Sequence, residues 1–170
     1  MRTSDVIAAV VSGDVDALRA IAREQGTACL RGEDTDANTL TPLHRAAASG
    51  QEAAVAFLLS AEVGANAGSL RMNNASPLHA AAMKGHARIC ALLIQSGADP
   101  NVQTHPQGYA PLHSAAWGGH LEAVKVLLAL GARTDLLNYR AETPAEAARR
   151  QRHSAVAHLL EAAESVYTRG

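Results

Sequence analysis

The sequence predicts an all-α solenoid, an elongated array in which one helix-turn-helix unit is stacked about five times. A motif that begins with Thr41, Pro42, Leu43 and His44 recurs three times, and the four prolines are 35, 34 and 33 residues apart. Self-similarity at such a period is typical of repeat architectures. The composition agrees, because 48% of the 170 residues are hydrophobic but only 3% are aromatic. Small apolar side chains suit a core of closely stacked helices. The later copies of the motif are Ser76-Pro77-Leu78-His79, Ala110-Pro111-Leu112-His113 and Thr143-Pro144-Ala145-Glu146.

The motif marks the start of the first helix in each unit. The hydroxyl of Thr41 or Ser76 can accept a hydrogen bond from a free helix N–H group, and a proline at the first helical position loses no hydrogen bond. The spacing predicts short helices over 42–49, 77–84 and 111–117. Three glycines that can adopt a left-handed conformation end them: Gly50, Gly85 and Gly119.

A second helix follows in each unit, over 52–60, 87–96 and 121–130. It carries apolar residues at helical spacing, such as Val124 and Leu127. A helix pair this short cannot bury its own apolar face. We therefore expect each copy to depend on its neighbours and the outermost copies to act as caps.

Both caps can be located in the sequence. Ser4 and Asp5 begin a helix that Gly13 breaks, and a partner helix follows from residue 15. At the other end, Pro144 begins a helix to residue 150, and Ser154 begins a last helix that ends near residue 164. We expect one domain over 1–164, with a cap at 1–35, repeats at 36–68, 69–101 and 102–135, a cap at 136–164, and a tail at 165–170.

The repeated motif, its paired alanines and the glycine that follows resemble the ankyrin repeat. The resemblance covers about residues 36 to 162 motif by motif, and a degenerate copy extends it towards Ser4. It implies stacked helix pairs joined by β-hairpin-like loops. It also implies that His44, His79 and His113 hydrogen-bond the backbone of neighbouring hairpins.

The hairpin loops are expected at 36–40, 71–75, 105–109 and 138–142, aligned along one edge. Asn74 and Gly108 suit a positive φ there, whereas Thr39 and Ala141 stand where the family prefers glycine. Relative to a 33-residue unit, one loop segment has two extra residues, which we assign to Glu62 and the residue after it. Another has one extra residue within 105–108, and insertions of this kind often lie on the binding face.

The resemblance implies that a partner is bound by hairpin tips and by the exposed, concave face of the first helices. Asn38, Ala48 and Ser49 belong to this surface by position. The residues that we expect to contact a partner are Leu40, Met72, Asn73, Met83, Lys84, Gln107, Tyr109, Trp117, Tyr139, Arg140, Glu142 and Arg150.

Three of the five aromatic residues fall on that surface: Tyr109, Trp117 and Tyr139. Aromatic residues and arginine dominate interface hot spots. Local packing is the alternative, in which Trp117 covers Gly118 and Tyr109 shields the loop insertion. The equivalent core positions hold small aliphatic residues, so the stack does not need aromatic bulk, and partner binding is favoured.

Other classes of protein find little support. The pI of about 6.7 and the formal net charge of −1 give no electrostatic footprint for nucleic acid. No stretch has the length of a membrane span or the features of a signal peptide, so we expect a cytoplasmic chain. Cys29 and Cys90 form no Cys-x-x-Cys motif, and Cys90 is expected to be buried and reduced.

No catalytic motif occurs, and the eight histidines show no zinc-ligand spacing. We therefore expect no catalytic residue, metal or cofactor, and a chain that is monomeric on its own and binds another protein. Recognition of a small molecule or a peptide end in the groove is the second hypothesis, and it predicts a pocket beside Trp117. An undetected enzyme is the third hypothesis, and it predicts convergent polar groups in one cleft.

Overall fold

The computed structural model describes residues 3–31, 40–66, 75–105 and 107–167. Within these ranges the chain forms helices that are arranged in pairs. In chain order they are α1 (Thr3–Ser12), α2 (Val15–Gln25), α3 (Ala28–Arg31), α4 (Pro42–Ala48), α5 (Glu52–Ser60), α6 (Pro77–Lys84), α7 (Ala87–Gln95), α8 (Pro111–Gly118), α9 (Leu121–Ala129), α10 (Pro144–Arg150) and α11 (Ser154–Tyr167).

The helices form two layers. The first helices of the pairs, α1, α4, α6, α8 and α10, pack one after another, and so do the second helices, α2, α5, α7, α9 and α11. Each pair therefore packs on the pair before it and the pair after it. This is the predicted all-α solenoid, in which neighbouring repeats supply each other's core.

The core repeats with the sequence. Leu58, Leu93, Leu127 and Leu160 are fully buried, and each lies 16 residues after the proline of its own unit. Between the layers, paired alanines of the first helices such as Ala46 are fully buried as well. Because these side chains are small, the helices approach closely, and the predicted core of alanine, valine and leucine is confirmed.

The helix ends follow the predicted signals with small differences. Gly50, Gly85 and Gly119 have φ angles of 74°, 76° and 74°, so they end α4, α6 and α8 in the left-handed conformation. In the last unit Arg152 takes the same place with φ 65°. An arginine adopts this conformation at a cost that glycine avoids.

Two elements differ from the expectation. The short helix α3 was not predicted; it places Leu30 in the core, where this side chain is fully buried. Helix α11 continues to Tyr167, beyond the expected end near Glu164, because neither glycine nor proline interrupts residues 161–167. The hydroxyl of Ser165 donates to the Ala162 carbonyl at 2.8 Å within this extension.

The assignment of two extra residues to Glu62 and Val63 was wrong. Glu62 has φ 59° and stands where Gly97 and Gly131 end the later second helices, with φ 92° and 90°. The N–H of Val63 then donates to the Leu58 carbonyl at 3.1 Å, as that of Ala98 does to Leu93 at 2.9 Å.

The next residues keep the same register. The side-chain amide Nδ2 of Asn66 donates to the Gly97 carbonyl at 2.9 Å. Nδ2 of Asn101 donates to the Gly131 carbonyl at 3.0 Å in the same way. The two units therefore match residue by residue as far as Asn66. The extra length therefore lies between Asn66 and Pro77 in the sequence, in a segment that includes the undescribed residues 67–74.

Glu62→Gly is expected to raise the free energy of unfolding by about 1 kcal/mol, because glycine adopts a positive φ without the clash of a Cβ atom. Urea unfolding followed by circular dichroism measures the change. The matched control is Gly97→Ala at the equivalent position, which should lower stability by a similar amount. Equal stability of both variants would contradict the assigned register.

Leu127→Ala is expected to lower the free energy of unfolding by about 2 to 5 kcal/mol, because it leaves a cavity in a core that adjacent repeats share. Denaturant unfolding measures this loss. Hydrogen exchange should show that the amides of neighbouring repeats lose protection together. Leu137→Ala is the control, since Leu137 is 52% exposed and its truncation creates no cavity. Loss of protection in one repeat alone would count against the stacked core.

Candidate functional site

The candidate site lies along the first-helix layer, and buried histidines fix its backbone. Nδ1 of His79 accepts from the main-chain N–H of Ser76 at 3.1 Å. Nε2 therefore carries the ring proton and donates to the Tyr109 carbonyl at 2.8 Å. One neutral imidazole thus connects the start of α6 to the hairpin that follows it.

The same arrangement occurs in the neighbouring repeats. Nε2 of His44 lies 2.9 Å from the Ala75 carbonyl, and Nε2 of His113 lies 3.0 Å from the Glu142 carbonyl. The role that the family resemblance implied for these histidines is confirmed by the geometry. The backbone at Ala75, Tyr109 and Glu142 is consequently fixed to the repeat that precedes it.

Burial keeps these rings neutral. Desolvation lowers the pKa of His79 from 6.5 to about 4, although the hydrogen bond to Tyr109 acts in the opposite direction. Desolvation also lowers the pKa of His44 and of His113. A neutral ring suits its role, since one nitrogen must accept a hydrogen bond while the other donates.

A second set of side chains extends back to the preceding repeat. Nε2 of His86 lies 3.2 Å from the Ala48 carbonyl, and Nε2 of His120 lies 2.9 Å from the Met83 carbonyl. In the first repeat Gln51 substitutes for histidine and donates to the Val11 carbonyl at 2.9 Å. Carbonyls at the ends of α1, α4 and α6 thereby gain hydrogen-bond partners.

The hairpin at 138–142 is shaped by Asn138. Its main-chain N–H donates to the Glu142 carbonyl at 3.0 Å, and its side-chain oxygen accepts from the N–H groups of Arg140 and Glu142. Ala141 has φ 56°, so the position where the family prefers glycine is left-handed here although it holds alanine. The predicted positive φ of Gly108 is confirmed at 66°.

Neighbouring hairpins lie side by side. The N–H of Tyr139 donates to the Gln107 carbonyl at 2.9 Å, and the side chain of Gln103 donates to the Leu137 carbonyl at 2.9 Å. A Cβ atom at Gly108 would lie 3.3 Å from the Tyr139 nitrogen, so glycine also permits this close approach. The predicted alignment of hairpins along one edge is confirmed for this pair.

An ion pair shows that the hairpin and the end of the first helix share one surface. Nε of Arg150 lies 3.4 Å from Oε1 of Glu142. In the preceding repeat Tyr109 and Trp117 occupy the corresponding positions, with the same spacing of eight residues. We call the surface that these positions form along the layer the first-helix face. Its helix-end row consists of Ala48, Met83, Trp117 and Arg150.

Two aromatic side chains of the site are open to solvent. Trp117 is 42% exposed and Tyr139 is 56% exposed. The Arg140 guanidinium lies 5.4 Å from the centroid of the Tyr139 ring, and its Nε donates to the Tyr139 hydroxyl at 2.8 Å. Tyr109 is half-buried, with edge-to-face contacts to the rings of His105 and His113. Tyr109 therefore combines local packing with partial exposure.

The other predicted contact residues divide by burial. Lys84, Gln107, Arg140 and Arg150 are exposed, whereas Leu40, Met83 and Glu142 are half-buried. Met72 and Asn73 lie outside the described residues, as do Asn38, Thr39 and Asn74.

Sequence reasoning missed one charged position of this surface. Arg45 stands one turn before Ala48 in α4, where the other repeats have the buried small residues Ala80, Ser114 and Ala147. Its Nε atom is buried and has no hydrogen-bond partner in the part of the chain that the structure describes. Alignment of the repeats on their prolines would have revealed this arginine.

Burial raises the pKa of the Cys90 thiol to about 12, consistent with the predicted buried and reduced cysteine. Within the described ranges, no three His, Cys, Asp or Glu side chains are grouped to hold a metal ion. No helix in those ranges has the length and apolar character needed to cross a bilayer.

Two cavities lie towards the C-terminal cap. One, of about 230 Å³, is lined by residues that include Arg152, His158 and Glu161. The other, of about 580 Å³, is lined by residues that include Arg133, Thr134 and Thr143. Trp117 lines neither of them.

The fold and the histidine contacts define a repeat solenoid, and comparison with known proteins identifies its family. A family described as Ankyrin repeats (3 copies) matches residues 63–138, and one described as Ankyrin repeat matches residues 38–69. Together the matches cover more than half of the chain, so the protein belongs to the ankyrin repeat family. Ankyrin repeats are generally protein–protein interaction modules. None of the curated proteins compared with the chain matches it significantly.

The free energy of unfolding is expected to fall as the pH is lowered from about 6.5 towards 4. In this range the histidines of the unfolded chain bind protons, whereas the buried rings of the folded chain, with their lowered pKa, stay neutral. The depressed pKa of His79 alone corresponds to a loss of about 2 to 3 kcal/mol across this window. Urea unfolding at several pH values measures the slope.

His79→Gln serves as the comparison for the pH dependence. The variant should be less stable at neutral pH, because its ring contacts are lost, but its stability should decline less steeply with acid. His158→Gln, at an exposed position, should keep the slope of the parent chain. An unchanged slope in His79→Gln would assign the acid sensitivity to other groups.

Proposed function

We propose that this protein is a non-catalytic interaction module that binds another protein through the first-helix face. The supporting observation is the exposure of Trp117 in the helix-end row, beside the hairpins that carry Tyr109 and Tyr139. Large aromatic side chains contribute much of the binding energy of protein interfaces. The family makes this type of function the natural one.

The fold itself does not require these side chains. Helix-end positions hold Ala48, Met83, Trp117 and Arg150, which share neither size nor charge, while the core positions remain uniformly small and aliphatic. Contacts between repeats are made by histidines and by backbone groups. The variable positions are therefore free to serve recognition.

The proposal includes a cytoplasmic chain, monomeric on its own, that uses no cofactor and binds no nucleic acid. By binding its partner, the protein acts as a regulator or a scaffold. Recognition of a small molecule or a peptide end in the groove is the alternative function, and it predicts a pocket beside Trp117; the two cavities described above do not include this residue.

A double variant, Trp117→Ala with Tyr139→Ala, tests the site. Both side chains are substantially exposed, so helicity and unfolding should change little, whereas partner affinity should fall by at least about tenfold. Affinity capture from a lysate of the encoding organism, read by mass spectrometry, compares the parent chain with the variant.

The matched control carries truncations on the second-helix layer, Arg88→Ala and Lys125→Ala, which remove two exposed side chains. This control should retain every protein that the parent chain captures. Equal recovery of all proteins by the double variant and the parent chain would refute the proposed face.

A further inference from the structure

The charges of this protein are unevenly distributed between its two layers. On the second helices, opposite charges are paired: Asp16 with Arg19, Glu52 with Arg88, and Glu122 with Lys125. Such exposed pairs contribute little to stability, and within each pair the two opposite charges offset each other.

The first-helix face is different. Arg45, Lys84 and Arg140 form no ion pair with any carboxylate in the described part of the chain. Arg150 is the only basic residue of the face paired with a carboxylate of that face, Glu142, among the described residues. Among the described residues of the face, four basic side chains therefore accompany the single carboxylate of Glu142, on a chain whose formal net charge is −1.

One further carboxylate of the described residues lies near this face and serves as a helix cap. Glu146, in the first turn of α10, accepts from the main-chain N–H of Thr143 at 2.7 Å and caps that helix. Arg149 donates to Glu161 of α11 at 2.8 Å, so its charge is compensated towards the C-terminal cap. Among the described residues, Lys84 stands in the repeat before the exposed indole, and Arg140 and Arg150 stand in the repeat after it.

Resting on the proposed function, we infer that the partner presents an acidic polypeptide segment in which an apolar side chain contacts Trp117. Carboxylates on either side of that contact would meet Lys84 on one flank and Arg140 and Arg150 on the other. Charge complementarity of this kind selects partners and accelerates association, while the buried apolar contact supplies affinity. Local charge, not net charge, makes the face attractive to such a segment.

The arrangement favours a polypeptide over other anions. Nucleic acids and anionic membranes are usually bound through extended basic patches, whereas here separate cations surround an apolar centre formed by Met83 and Trp117. The hydrophobic centre and its charged rim match the usual anatomy of a protein interface.

Selection from a random peptide library displayed on phage tests the inference, with the full chain as bait. The selected peptides should be rich in Asp and Glu around an aliphatic or aromatic residue. Trp117 is the only tryptophan in the chain, so titration of a selected synthetic peptide should change its fluorescence directly. Affinity should fall as salt is added.

Charge reversal provides the matched comparison. Lys84→Glu should lower the affinity for the peptide by about tenfold or more. Arg88→Glu, in the same repeat but on the other layer, should change this affinity by less than about twofold. Neither side chain is buried, so both variants should fold.

The outcomes separate the two proposals. The inference would be overturned if the selected peptides lack acidic residues and bind Lys84→Glu as tightly as the parent chain. If the same peptides bind Trp117→Ala more weakly, the proposed face is still supported. Peptides that ignore Trp117→Ala as well, or an absence of any selected peptide, would count against both. Phosphatidylserine vesicles and single-stranded oligonucleotides serve as the other anionic ligands. If either of them binds as tightly as the selected peptide, and Lys84→Glu weakens that binding, the assignment of a polypeptide is overturned.

Discussion

The buried imidazole between repeats is the interaction on which this structure most depends. His79 accepts a hydrogen bond from its own helix start and donates one to the next hairpin, at 2.8 Å from the Tyr109 carbonyl. Helix pairs of this length have too little apolar surface to be stable in isolation. The histidines therefore do more than fill space, because they fix the position of each loop relative to the repeat before it.

Contacts across each boundary run in both chain directions. His113 extends forward to the hairpin of the last repeat, while His120, in the same repeat, extends back to the Met83 carbonyl at 2.9 Å. The proposed interaction surface is thus built on a backbone that receives hydrogen bonds from both neighbouring repeats. Side chains at the helix ends and hairpin tips vary without disturbing that backbone, which explains how one scaffold tolerates an exposed tryptophan.

Most of the fold could be predicted because its signals are local and repeated. Proline at the helix start, glycine at the helix end and leucine at helical spacing each dictate backbone conformation or burial within a few residues. The extra residues before Pro77 were misplaced because Glu62 adopts a conformation that normally indicates glycine. In the same way Ala141 and Arg152 take positive φ angles through tertiary context, which residue type alone does not reveal. For the candidate site, register placed Trp117 on the surface, but the half-buried state of Tyr109 depends on ring contacts that only three-dimensional packing creates.

The two glycines after Trp117 have a consequence for recognition. A Cβ atom at Gly118 would lie 2.7 Å from Nε2 of His120, and one at Gly119 would lie 2.6 Å from Nδ1 of His153, so imidazoles from two repeats press on the peptide that carries the indole. The main chain at Gly118 and Gly119 is therefore closely packed against these rings. For the proposed partner, binding at Trp117 would therefore require little additional ordering of the main chain at the contact.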